Sequence, residues 1–249
     1  MQDVNLAESA YEHASVTLLL TAHNEADTIE SVISEFYREI GEKIPLKILV
    51  VEDGSTDGTK EILLKLSKTF PLGFLSGKER RGYSKAVTEG LKRIDTEYVF
   101  FTDGDGQHVA KDFWKLYEFR DNYSVVSGWR VKRADALHRK VMSKVFQWMI
   151  KGLFKLPNFH DITAPYKLMQ SDVAKVVANE WKYMKESFWA EFIIRAHKKG
   201  LKIVEVPVRH RSRIDNSNNS STRVYKPLKI PKIAISQLLG LLRLWPELR

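Results

Sequence analysis

The chain has 249 residues, of which 43% are hydrophobic and 29% charged. That is enough for one sizeable α/β domain and too apolar for a disordered chain. The 40 Lys and Arg against 31 Asp and Glu leave a formal net charge of +9, which favours anionic partners such as nucleic acid, phosphorylated substrates or acidic lipid headgroups; the absence of cysteine excludes disulfides, thiolate nucleophiles and zinc–thiolate centres.

The stretch 1–13 is polar and carries acids, with no basic segment followed by an apolar core, so no secretory signal is expected there. No run reaches the roughly 18 apolar residues that span a bilayer, so the chain is expected to be soluble or peripheral. Residues 16–21 (VTLLLT) read as a buried strand. Helical spacing follows over 25–40, with Ile29, Val32, Ile33, Phe36 and Tyr37 in register. Strand 46–51, helix 59–66, a short strand at 73–75, helix 84–94 and strand 98–102 (YVFFT) come next. Strand alternating with helix implies βαβ units and a parallel sheet. The first ~105 residues therefore read as a doubly wound half-domain of the nucleotide-binding kind.

The second half is less regular. Strand 124–128 precedes an amphipathic helix over 134–155. There Leu137, Val141, Val145, Trp148 and Met149 share one face, and Arg139, Lys140, Lys144 and Lys151 lie mostly on the other. Helix 187–198 and strand 202–208 follow. The polar run 215–222 (DNSNNSST) reads as a flexible loop. The tail returns to helical spacing, with Ile230, Ile233, Ala234, Leu238, Leu241, Leu242 and Trp245 apolar, and Lys226, Lys229, Lys232 and Arg243 basic. Basic amphipathic helices suit a membrane surface. Equally, such faces pack on their own domain or on a second subunit.

Ligands of open α/β sheets bind beyond the carboxyl ends of the strands. After the first strand comes Thr21-Ala22-His23-Asn24-Glu25, after the second Glu52-Asp53-Gly54-Ser55-Thr56-Asp57, and after YVFFT Asp103-Gly104-Asp105-Gly106-Gln107-His108. Any one of these alone is an ordinary turn or helix cap. Their joint occurrence, in order, points to a site. Asp103 and Asp105, one small residue apart, can face one hard divalent cation, with Gln107 adding a carbonyl oxygen.

The order TAHNE, VVEDGSTDGT, RRGYSKAVTEG and DGDGQH resembles the family 2 glycosyltransferases of GT-A fold, and among them the branch that transfers sugar to polyprenyl phosphate, the dolichol-phosphate mannose synthase-like enzymes. The resemblance is specific over 16–108 and continues to about Arg213. It implies an α/β fold: a Rossmann-like, mixed and mainly parallel sheet flanked by helices, with an amphipathic helical tail. The domain would cover 1–213, its nucleotide half about 16–108 and its acceptor half about 109–213, with the loop and tail over 214–249.

The resemblance also implies roles. Asp53 would contact the nucleobase, with Ala22, Asn24 and Glu25 alongside it. Asp103 would reach the ribose and share the metal with Asp105 and Gln107. Gly82 and Lys85 would pack against the nucleotide, and Asp161 would lie between sugar and acceptor. Arg130 and Arg139 would meet the acceptor phosphate, and Arg211 and Arg213 would close over the diphosphate. Glu191 would sit near the donor sugar, as a general base if the acceptor were a neutral hydroxyl. His210 is a further candidate metal ligand. Two positions depart from the family pattern: Glu52 stands for a common aspartate, and Pro165-Tyr166-Lys167 stands for Gly-Phe-Arg. Lys lacks the bidentate fork of Arg.

The expected activity is inverting transfer of a hexose, from GDP-mannose or UDP-glucose with Mg²⁺ or Mn²⁺, to a polyprenyl phosphate on the cytoplasmic face of a membrane, without a nucleic-acid partner. A soluble glycan or other hydroxyl acceptor is the alternative. A non-enzymatic basic module for nucleic acid or membrane is the second.

Overall fold

The structure, a computed structural model, describes residues 2–4, 15–131, 137–212 and 230–249. The predicted loop over 215–222 and Arg213 lie outside them. The described residues form one sheet of eight strands: β1 (Gln2–Val4), β2 (Val16–Ala22), β3 (Leu46–Glu52), β4 (Leu72–Ser76), β5 (Tyr98–Asp103), β6 (Val125–Arg130), β7 (Tyr166–Gln170) and β8 (Ile203–Val208). Their order across the sheet is β1-β4-β3-β2-β5-β7-β6-β8. The neighbours β4, β3, β2 and β5 are parallel. Strand β7 pairs antiparallel with both β5 and β6, and β8 is parallel to β6. All strands except β1 and β7 therefore end at one edge. This is the mixed, mainly parallel GT-A-type sheet that the sequence implied.

Strands β2, β3 and β5 are continuous apolar runs because helices cover both faces of the sheet. On one face lie α1 (Ile29–Phe36) and α2 (Thr59–Leu66), whose Ile29, Val32, Ile33, Phe36 and Leu63 are buried. A short helix, α4 (Phe113–Tyr117), belongs to the same layer. On the other lie α3 (Tyr83–Lys92), α5 (Leu137–Phe154), α6 (Ser171–Asn179), α7 (Phe188–Lys198) and α8 (Ile230–Leu248). Gly90 lets α3 sit directly on the sheet: a Cβ there would stand 2.6 Å from Leu19 Cδ1 and 2.9 Å from Val51 Cγ2.

Two helices leave part of the apolar faces read from the sequence uncovered. On α5 the core residues are Gln147, Ile150 and Phe154, whereas Val141, Val145 and Trp148 are exposed, Trp148 at 77%. On α8, Ile233, Leu241 and Leu244 are buried, and Ile235, Leu238, Leu239, Leu242 and Trp245 are exposed. The tail thus packs on its own domain through one stripe and leaves a second uncovered. Among the described residues no helix is long and apolar enough to cross a membrane.

Candidate active site

Three loops meet beyond β2, β3 and β5, laced together by their own polar groups. Asn24 sits at φ +56°. Its amide donates to Ser55 Oγ at 3.0 Å, and its Oδ1 accepts the Thr56 amide at 2.9 Å. The Glu25 amide donates to Thr59 Oγ1 and the Ala26 amide to Asp57 Oδ2. The Ala22 carbonyl accepts the Asp53 amide. Buried Glu52 accepts the Ser76 hydroxyl at 2.9 Å and the Ser55 amide. Asp53 is buried, and its two oxygens accept the Arg81 and Gly82 amides, each at 2.8 Å. Asp53 therefore fastens the 81–82 turn to the sheet edge. Gly54, at φ +66°, leaves room there, since a Cβ would come 2.5 Å from the Glu79 carbonyl carbon.

The third loop holds the acid pair. The Gly104 amide donates to the Thr21 carbonyl, and the Gly104 carbonyl accepts the Thr28 hydroxyl, so this loop is pinned to β2 and to the start of α1. Asp103 Oδ1 accepts the Tyr83 hydroxyl at 3.1 Å, and the Tyr83 oxygen accepts Trp189 Nε1–H at 2.9 Å. This Trp189–Tyr83–Asp103 chain was not read from the sequence. Its partners sit 106 and 20 positions apart; Tyr83 lies in the RRGYSKAVTEG motif, but nothing in that motif points to Trp189. Desolvation, then the neighbouring Asp105 carboxylate, pushes the Asp103 carboxyl well above the usual carboxylate range.

A divalent cation would relieve that repulsion, so the donor set fits one. Asp103 and Asp105 would supply the hard oxygens. The Gln107 side-chain nitrogen donates to the Arg211 carbonyl at 3.3 Å, which leaves its oxygen as the end to turn toward a metal. Among the described residues no three acidic or histidine side chains cluster closely enough to cage a metal unaided. Such a site suits an ion that completes its shell with substrate phosphates.

Four of the expected site residues are held by the protein's own groups. Arg211 folds onto the acid loop, donating through Nε to the Gly106 carbonyl and through Nη2 to the His108 carbonyl, each at 2.9 Å, and pairs with Glu35. Arg130 and Asp161, assigned separately to acceptor and sugar, grip each other: Nε donates to Oδ2 at 2.7 Å and Nη2 to Oδ1 at 3.1 Å, with both side chains nearly buried. The Asp161 amide is in turn held by Glu205 at 2.8 Å. Glu191 is 0% exposed and accepts the amides of Lys182, Tyr183 and Met184 at 3.0, 2.9 and 2.8 Å, with Arg195 Nε at 2.9 Å. A carboxylate so saturated is a structural anchor, not a free base. Lys85 is exposed on the first turn of α3. The His210 ring lies 5.4 Å from that of His108, whose Nδ1 shares a hydrogen bond with Thr102. The side chain of Arg139 and all of Arg213 lie outside the described residues.

Lys167, in the segment that departs from the family pattern, is fully buried on β7 beside Phe101 and Ser127. Its Nζ donates to Ser127 Oγ at 2.6 Å and lies 5.4 Å from the Trp189 ring centre. Burial lowers its pKa to about 8. The unfolded chain then binds more protons between pH ~8 and ~10.5, so this lysine makes stability rise with pH across that window. Below it, the buried ammonium is a standing cost of about 1–3 kcal/mol, partly offset by the Ser127 hydrogen bond, worth about 1 kcal/mol. Lys167→Met is therefore expected to be more stable than the natural chain at pH 7, by about 1–2 kcal/mol, and less stable at pH 10.5. Urea unfolding at the two pH values checks this, and a pH-independent difference would refute it.

A family model described as glycosyl transferase family 2 matches residues 17–178. Among curated proteins, the poly-beta-1,6-N-acetyl-D-glucosamine synthase of Staphylococcus aureus (strain MSSA476) is 33% identical over 103 residues, which is 41% of this chain. The match spans 24% of that relative's length, so the chain covers about a quarter of it. Among solved structures, glucosyl-3-phosphoglycerate synthase from Mycobacterium tuberculosis, in complex with Mn²⁺, UDP and glucosyl-3-phosphoglycerate, aligns at TM-score 0.68 and 17% identity, covering 96% of this chain and 82% of that one. The mannosyltransferase PcManGT from Pyrobaculum calidifontis, in complex with GDP-Man and Mn²⁺, aligns at TM-score 0.58 and 20% identity, covering 94% and 71%. At these identities the likeness speaks for the fold.

Proposed function

The chain belongs to glycosyl transferase family 2, and from that premise we propose that it is an inverting hexosyltransferase that moves sugar from a nucleotide-sugar to a polyprenyl phosphate at the cytoplasmic face of a membrane. The observation that carries the reading is the Asp103–Asp105 pair, pinned at the shared strand edge, where burial and the neighbouring carboxylate raise the Asp103 pKa against the opposing Tyr83 hydrogen bond and Arg130 charge. Asp103 and Asp105 would hold Mg²⁺ or Mn²⁺, which stabilises the charge of the departing nucleoside diphosphate. GDP-mannose and UDP-glucose are the donors proposed.

The acceptor reading has two supports. An acceptor phosphate is already an anion and needs no general base, and Glu191, the expected base, is committed to three backbone amides and Arg195. Helices α5 and α8, which touch each other, each leave an apolar stripe uncovered: Val141, Val145 and Trp148 on one, Ile235, Leu238 and Leu242 on the other. Lys144, Lys232 and Arg243 are exposed on the same two helices. Apolar stripes flanked by cations suit an anionic lipid surface.

Thermal unfolding with UDP- and GDP-sugars, with Mn²⁺ and then with chelator, tests the donor site. Ligand at 100 times its Kd stabilises by about 2.7 kcal/mol, which for a chain this size raises Tm by about 5–10 °C. The expected result is that rise with one nucleotide, abolished by chelator. Radiolabel transfer to polyprenyl phosphate in anionic vesicles, set against a neutral glycan, then tests the acceptor. Transfer to the glycan alone would defeat the lipid-phosphate reading and leave the donor site standing.

A further inference from the structure

The acid pair is braced from the far end of the chain. Glu247, in the last turn of α8, places Oε1 2.8 Å from Arg195 Nη1 and accepts the Tyr183 hydroxyl on Oε2 at 3.0 Å, with Lys182 Nζ at 3.4 Å. The hydrogen bond from Arg195, aided by that from Tyr183, holds the Glu247 carboxyl below its ordinary pKa, so it is ionised at neutral pH. Arg195 is 2% exposed and passes the contact inward to Glu191, which fixes the amides of Lys182, Tyr183 and Met184.

The same segment is gripped at further points. Gln237 of α8 donates to Ser187 Oγ at 2.7 Å. Gly240 packs α8 against the segment's backbone, where a Cβ would stand 3.1 Å from the Tyr183 carbonyl. On its other side the Lys185 carbonyl accepts the Ser84 hydroxyl at 2.6 Å, at the first turn of α3. Ser84 follows Tyr83, whose hydroxyl donates to Asp103, and Trp189 follows the segment and donates to Tyr83. Leu241 and Leu244 of α8 are buried in one cluster with Phe101, Phe188 and Trp189. A continuous series of hydrogen bonds and packed side chains thus runs from Glu247 to Asp103.

We propose that Glu247 is a positioning residue for the nucleotide–metal site: from the C-terminal helix it sets the 182–187 segment, which holds Tyr83 and Trp189 against Asp103. The inference rests on the donor-site reading above, and adds that the helix bearing an exposed apolar stripe is mechanically tied to the acid pair. The tie has two ends. The inner face of α8 carries Glu247, Gln237 and Gly240 on the segment, and the outer face carries Ile235, Leu238 and Leu242.

Glu247→Gln in the full chain keeps the shape and removes the charge that Arg195 and Lys182 engage. The first readout is amide hydrogen exchange. Exchange is expected to quicken at least about fivefold over 182–187 and over the first turn of α3, while α1 and α2, on the opposite face of the sheet, stay unchanged. The second is Mn²⁺-supported binding of UDP and GDP, expected to weaken about 3- to 10-fold. Faster exchange confined to α8, or a lower Tm with unaltered nucleotide affinity, would make Glu247 a stability residue only and overturn the proposal. Natural chain that binds neither nucleotide removes the donor-site reading and this inference with it. Natural chain that binds, alongside a variant that binds equally well, removes this inference alone.

Discussion

Asp105→Ala is expected to lower turnover by about 10²–10⁴-fold, the several kcal/mol that a catalytic cation contributes, while leaving the fold intact. The loss follows from how little else at this edge can take over. Asp53 spends its oxygens on two backbone amides, Asp161 on Arg130, and Glu191 on the 182–184 turn. Asp103 alone would offer a metal one carboxylate where the pair would offer two. Asp105 is half-buried and accepts the Gln107 amide at 3.1 Å, a hydrogen bond worth about 1 kcal/mol. Removing the carboxylate also lifts the repulsion that Asp103 feels. The check is nucleotide release and Mn²⁺-dependent nucleotide affinity, alongside a melting curve. Mn²⁺-dependent affinity within threefold of the natural chain would reduce DGDGQH to an ordinary turn.

Much of this architecture is legible in the residues. Strands β2, β3 and β5 announce themselves because a strand buried on both faces needs an unbroken apolar run. Helix α2 begins and ends where its spacing says. Strand β7 escapes the reading because it is only five residues long and carries Lys167 and Gln170 among its apolar residues. The Ser127 hydroxyl on the neighbouring strand, the Trp189 ring and the nearby Asp161 and Glu205 carboxylates make a lysine tolerable there. Helix α6 has no strong sequence signal beyond Ala174, Val177 and Ala178, small residues that carry its buried face. The α5 stripe of Val141, Val145 and Trp148 is apolar in sequence and exposed in the structure. Periodicity reports a face and not what covers it, and this one faces outward.

The site divides along the same line. That acids gather beyond the strands is a local fact, visible as Asp53, Asp103 and Asp105 each following an apolar run. Which acids remain available is a long-range fact. Asp161 and Glu191 look like site carboxylates in one dimension, yet Arg130 lies 31 positions from the first, and the second is bracketed by a turn and Arg195. Arg211 is likewise paired with Glu35, 176 positions away. An ion pair of that separation leaves no trace in spacing.

Glu191→Gln carries the second large effect, on stability instead of chemistry. Glu191 and Arg195 are both essentially inaccessible, at 0% and 2% exposure. Removing one partner of a buried pair costs about 3–5 kcal/mol, and because Glu247 still pairs with Arg195 at 2.8 Å the loss here is expected at the lower end of that range. Glutamine also replaces an accepting oxygen with a nitrogen that cannot accept, facing amide donors or the guanidinium. Tm should fall by about 10 °C. If the acceptor is a phosphate, kcat at saturating donor, measured well below the new Tm, should stay within about threefold, with any kinetic loss appearing in the donor KM through the loosened 182–187 segment. A general base in this position predicts the opposite pattern: kcat down by about 10²–10⁴-fold, the acidic limb of the pH profile lost, and Tm hardly moved. The two roles demand incompatible surroundings. A base must keep an oxygen turned to the acceptor, and the oxygens of Glu191 are turned to Lys182, Tyr183, Met184 and Arg195.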